Sequence, residues 1–162
     1  MITLVPAEDR RGKYTTEIAL TFTVQDTPDY SNSDQLGSLI TVSNAVRKTG
    51  GTGKIRSLVL YDDDKLNADF DVLIFDSSPT IASSDNGALD ISEANLQKLI
   101  GRIEIRQADW SDISGHTYCV IGNLDLPVKS LTKDLYFLLQ ARATLNFADT
   151  GALTGRVVIE QD

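Results

Sequence analysis

Residues 54–79, KIRSLVLYDDDKLNADFDVLIFDSSP, constrain this chain more than any other stretch. Two apolar runs, 55–61 and 70–75, flank a polar connector that carries Asp62, Asp63, Asp64 and Asn67. A strand, a turn and a returning strand look like this in sequence, so the stretch predicts a hairpin. The second run, FDVLIF, is almost continuously apolar. That predicts a strand buried on both faces, as in the core of a two-layer sandwich. The connector's acids read as a solvated hairpin tip whose charges discourage aggregation.

Other segments share the strand signal. Residues 14–24 alternate Ile18, Leu20, Phe22 and Val24 with polar positions such as Thr21 and Thr23, the period of a half-buried strand. Residues 25–37 are polar and read as a long connector, or as an arm that orders on contact. The chain therefore divides at this stage into 1–37, an N-terminal strand and polar arm with a further short strand at 2–5, and 38–162, a β-sandwich domain. Further strands are expected at 39–42, 102–107, 117–121, 135–139 and 153–159, separated by turn residues such as Gly115 and Gly122-Asn123. One helix is expected over 91–100, with Asp90 and Glu93 at capping-box spacing and Gly101 closing it. Its Ile91, Ala94, Leu99 and Ile100 would face a sheet. Eight or nine strands and one short helix predict an all-β, two-sheet sandwich of jelly-roll or Greek-key type.

A chain of 162 residues suits one domain and can bury roughly 70% of its unfolded surface. Its net charge of -8 argues against a nucleic-acid partner, which needs clustered Lys and Arg, and favours basic or mixed-charge partners. The N-terminus shows no signal-peptide pattern and no apolar run is long enough to span a bilayer, so no membrane is expected. The single cysteine, Cys119, can form no intramolecular disulfide, and its flanks Tyr118 and Val120 place it in a strand as a buried thiol.

The residues offer little chemistry. Gly50, Gly51, Gly53 and Lys54 hint at a phosphate loop. However, Lys48 stands where its first glycine belongs, Ile55 replaces its Ser or Thr, and the segment leads into a strand. Asp62–Asp64 lack the central glycine and terminal glutamate of a calcium loop. His116, the one histidine, lies near Ser111 and Ser114 without a nucleophile elbow. One His and one Cys supply a transition-metal site poorly. The reading is therefore no enzyme, no catalytic residue, no cofactor and no metal. Trp110, the only tryptophan, reads either as a core side chain at a strand end or as an interface anchor. Tyr30, in the polar connector, is the second interface candidate.

Four segments, GGTGKIRSLVLYD, FDVLIFDSSPT, DISEANLQKLIGRIEI and GRVVIEQD, carry a likeness that runs from about Leu39 to the C-terminus. In them the chain resembles the capsid cement or head-decoration proteins of tailed bacteriophages. The resemblance implies a jelly-roll-like antiparallel β-sandwich with an N-terminal arm, and a structural virion protein with no catalysis and no cofactor. It implies a homo-oligomer, dimer or trimer, seated on the outer capsid surface after assembly in the host cytoplasm. There it would bridge and stabilise neighbouring major capsid subunits. Residues 1–37 fall outside the match. Two other readings remain at this stage: a phage tail or baseplate component with the same fold, and a carbohydrate-binding sandwich module. The second is weakened because the aromatic residues lie mostly within apolar strand runs.

Overall fold

A computed structural model describes residues 13–26, 28–148 and 153–162; the strand expected at 2–5 lies outside them. Among the described residues the chain forms ten strands: β1 (Tyr14–Thr21), β2 (Gln35–Val42), β3 (Thr52–Asp62), β4 (Phe70–Phe75), β5 (Leu99–Ile105), β6 (Trp110–Ile113), β7 (His116–Ile121), β8 (Leu126–Lys129), β9 (Leu135–Ala141) and β10 (Leu153–Gln161). All named pairings are antiparallel. One sheet runs β1-β10-β3-β7-β6, with β8 beside β3, and the other runs β2-β9-β4-β5.

The first strand pairs with the last, and the second with the next to last, so the chain is a long antiparallel hairpin rolled over on itself. That nesting, split over two facing sheets, is the jelly roll. One strand position is divided in two: β7 pairs with the second half of β3 and β8 with its first half. The break between them turns on Asn123 and Asp125, both at positive φ. Phe22, Leu36, Leu58, Phe70, Phe137 and Val157 fill the space between the sheets. The sheets meet closely at both flanks. A Cβ on Gly37, whose φ is +68°, would lie 2.7 Å from the Thr23 carbonyl oxygen. On the other side Leu126 of β8 rests on Gly101 of β5.

Three expectations are corrected. First, β3 and β4 do not form a hairpin, because they lie in different sheets. Their connector is an arch, and Asp62 is buried inside it rather than solvated at a tip. The carboxylate accepts the N–H groups of Asp64, Leu66 and Asn67 at 3.0, 2.8 and 3.2 Å, which satisfies backbone that would otherwise be stranded between layers. Burial pushes the Asp62 carboxyl above the usual carboxylate range despite those donors.

Second, the helix shrinks to one turn, α1 (Glu93–Leu96), with Ser92 and not Asp90 as its N-cap. Leu99, Ile100 and Gly101 belong to β5, where Leu99 pairs with Phe75 and Gly101 with Ile74. A helix of that length is marginal alone, whereas the open edge of β4 offers a ladder of hydrogen bonds and apolar contact.

Third, the boundary at 37/38 falls inside β2, and β1 pairs with β10 along its whole length. The polar connector contributes Tyr30 to the core it was expected to leave, so the described part of 1–37 shares one core with the rest.

Candidate interaction surface

Strand alternation decides which side chains face outward. On the outer side of the six-stranded sheet, Val59 and Tyr61 of β3 stand opposite Val120 and Tyr118 of β7. Across β7, Ser111 and Ile113 of β6 extend the same surface. Tyr61 is 39% exposed, Val120 54% and Ile113 58%, while Tyr118 is half-buried. Among the described residues no segment crosses over them. Charges ring this apolar centre. Arg156 reaches Glu17 at 3.4 Å, Asp125 is gripped by Lys54 at 3.2 Å and by Arg56, and His116 Nδ1 lies 3.0 Å from Asp63. The Lys54 and Arg56 cations hold the Asp125 carboxyl below its usual range. An apolar centre within a charged rim is the anatomy of a protein-binding surface, and the solvent-facing apolar side chains sit on rigid sheet rather than on loops.

The outer side of the four-stranded sheet is built differently. Leu73, Phe75 and Leu138 point outward there, yet all three are buried. Residues 76–98 cross the sheet and lay Ile81, Leu89 and Ile91 on them. That crossing is pinned to the connector. Tyr30 donates its hydroxyl hydrogen to Asp85 Oδ1 at 2.7 Å, Gln35 and residues 86–87 exchange backbone bonds, and the Asn86 side chain donates to the Pro28 carbonyl.

At the far end of this covered face lies a charge cluster that the sequence reading missed. Asp71, the single polar residue in FDVLIF, is fully buried. Arg142 grips its Oδ2 through Nε at 2.7 Å and Nη2 at 2.6 Å, with Arg102 Nη1 at 3.4 Å. Arg106 Nη1 lies 2.9 Å from Oδ1, but its hydrogens point to the Phe70 and Ile105 carbonyls, so the proximity is electrostatic and not a hydrogen bond. Arg102 and Arg106 also pair with Glu104. Each guanidinium thus has a carboxylate, and the cluster ties β4, β5 and β9 together without leaving a cation free for a ligand. Its signal was present: Arg102, Glu104 and Arg106 alternate along one side of β5, and Asp71 interrupts the apolar run beside them.

The two interface candidates face inward. Trp110 is 8% exposed, and its indole N–H donates to the Ala68 carbonyl at 3.0 Å. It backs the apolar surface from beneath and offers no ring to a partner. Tyr30 is wholly buried, edge-on to Phe147 at 6.0 Å between centroids. Burial, with the Asp85 charge beside it, raises its phenol pKa. Cys119 is buried against the same core, and burial pushes its thiol up to about 12. Gly50 sits in a turn at φ +71°, while Thr52 and Gly53 already belong to β3. A shallow groove of about 470 Å³ opens beside β8, lined by Lys54, Ile100, Pro127 and Lys129 among others. It contains no aromatic platform.

No protein-family model matches the chain, and no curated protein matches it. Among solved structures it is similar to a chain of the infectious bursal disease virus Gx strain, with 11% identity and a TM-score of 0.40 over 99% of this chain. It is similar in the same way to the VP2 subviral particle of infectious bursal disease virus, at 12% identity and a TM-score of 0.39. Turnip yellow mosaic virus is a more distant likeness, at 13% identity and a TM-score of 0.26, covering 98% of this chain and 86% of that one. The chain spans little more than a third of the two infectious bursal disease virus chains, 36% and 37%. The strand order described above is what defines the fold. No helix among the described residues is long and apolar enough to cross a membrane.

Proposed function

We propose that this chain is a structural virion protein of the cement or decoration kind, seated on the outside of a tailed-bacteriophage head, where it bridges neighbouring major capsid subunits. The observation that carries the reading is the bare apolar face of the six-stranded sheet, with Tyr61, Val120 and Ile113 exposed on a rigid support. Such a face suits gripping a flat protein surface and provides no enclosed volume for a small substrate. The fold is compatible with this role but does not select it, because jelly rolls host many functions.

The mechanism in this reading is mechanical. A clamp that binds the expanded shell and not its dissociated subunits stabilises the shell in proportion to occupancy and affinity. Self-association into a dimer or trimer multiplies the contacts each clamp makes and raises their effective concentration. Assembly takes place in the host cytoplasm, where the buried Cys119 stays reduced.

The test is to add the purified protein to expanded capsids stripped of it. Stoichiometric rebinding with a raised disruption temperature, lost in Val120→Asp, is the expected result. Absence of binding to any capsid, together with binding to a glycan array, would instead select the carbohydrate-module reading. A few copies per purified virion by quantitative mass spectrometry, in place of hundreds, would select the tail component.

A further inference from the structure

A sheet edge is a row of unpaired N–H and C=O groups that another strand can complete, and folded proteins blunt such edges. Among the described residues four of the five edge strands are blunted. β6 and β8 have only four residues each. β2 is bulged between Leu36 and Ile40, and its Gln35 is bonded to residues 86 and 87. β5 has Leu126 of β8 packed on its Gly101. β1 differs from all of them. It has eight residues in unbroken register with β10, no proline, one charge, and no strand on its other side among the described residues.

The register fixes which groups are free. Phe22 N–H bonds the Leu153 carbonyl, so residues of that parity bond to β10, and Thr15, Glu17, Ala19 and Thr21 turn their N–H and C=O outward. The side chains of those residues are exposed. Proline or lysine at any of them would be the usual protection, and neither is present.

We propose that β1 pairs antiparallel with β1 of a second copy, making one sheet continuous across the dimer, with the two-fold axis at Ile18. In that register Glu17 stands opposite Ala19 of the other copy, and Thr15 opposite Thr21. Charge selects it. Ala19 is flanked on β10 by Arg156, so each row across the interface reads Arg156, Ala19, Glu17 of the second copy. The Arg156 and Glu17 backbones are then two strand spacings apart, about 10 Å, with only the small Ala19 between them. Arg156, already within 3.4 Å of its own Glu17, is long enough to reach across. A register centred on Glu17 would oppose two carboxylates, and one centred on Ala19 would bring the two Arg156 side chains together without a Glu between them. The half-buried Ile18, packed on the core margin, meets its own copy at the axis and closes the seam with apolar contact.

This specifies the self-association contained in the proposed function, but requires nothing of a capsid. A chain that dimerises through β1 yet ignores every shell keeps this inference and loses the clamp reading. A monomer that binds shells does the reverse.

The experiment combines sedimentation equilibrium with amide exchange on the full chain. Wild type is expected to be a dimer whose Glu17, Ala19 and Thr21 amides become protected as concentration rises. Ala19→Pro removes only an outward N–H, is tolerated on an edge strand, and raises the dimer Kd at least tenfold with little change in Tm. Glu17→Arg and Arg156→Glu each weaken the dimer, and the double swap restores it. A wild type that stays monomeric overturns the proposal. So does protection of those amides that is independent of concentration, which would mean that residues 1–12 of the same chain cover the edge.

Discussion

The two sheets begin from the same sequence signal and end with opposite outer faces. In β3 the run LVLY, and in β4 the run VLIF, are apolar at consecutive positions, so each strand turns apolar side chains both into the core and away from it. On the four-stranded sheet the outward set, Leu73, Phe75 and Leu138, is sealed by residues 76–98. On the six-stranded sheet the outward set of Tyr61, Tyr118 and Val120 has no such cover among the described residues, and only Val59, between them and Arg156, is buried. A surplus of apolar strand surface is thus covered by the chain itself on one sheet and left exposed on the other. Loop length decides between them: the β4-to-β5 connection can return over its sheet, whereas the short turn from β6 to β7 cannot.

Substitutions on the two faces should separate stability from binding. The largest expected effect is Phe75→Ala on the covered face. It removes a fully buried ring and should cost about 4 kcal/mol, measured as the shift of a urea unfolding midpoint. Asp71→Ala comes next. It leaves three guanidinium groups around a missing carboxylate, and because those groups are partly solvated the loss should be about 3 kcal/mol. Should either variant unfold no more easily than wild type, the covered face would not be the stabilising layer described here.

A subtler effect lies in the arch between the sheets. The folded Asp62 carboxyl binds its proton more tightly than the unfolded one, whose value is near 3.8. Between that value and the raised one the folded state holds more protons, so this residue makes stability fall as pH rises through the window. Asp62→Asn should flatten that part of the stability–pH curve, read from unfolding midpoints at a series of pH values. An unchanged slope would show that the carboxyl does not titrate as its burial implies.

The smallest effect on stability belongs to the bare face. Val120→Thr should change the unfolding free energy by no more than about 0.5 kcal/mol, because the side chain is over half exposed. If it destabilises as much as Phe75→Ala does, the two faces are not different in kind.

Much of this was legible from local pattern, and its limits have physical causes. The period-two alternation of 14–24 and the apolar runs at 55–61 and 70–75 located β1, β3 and β4, since burial of one or both faces writes itself directly into residue order. What the pattern could not carry was partnership. Nothing local distinguishes a hairpin from an arch, because β3 chooses β10 and β7, which are distant in sequence, over β4. β6 and β8 were missed because each has four residues, and Pro127 in β8 reads as a turn although it sits opposite Lys54 at a sheet margin. Tyr30 and Trp110 stood out by residue type and polar context. Their partners, Asp85 and the Ala68 carbonyl, are 55 and 42 positions away, and those bonds let aromatic rings with polar tips be buried. The bare face was latent in the LVLY run, but its exposure depends on where another loop goes.

The most direct measurement is hydroxyl-radical footprinting of the chain free and bound to expanded capsids. Tyr61, Tyr118 and Ile113 should lose reactivity on the shell, while Leu96, exposed on α1 above the other sheet, keeps it. Protection of Leu96 with Tyr61 and Ile113 still reactive would contradict the account, since the shell would then be gripped by the face that the chain has already covered.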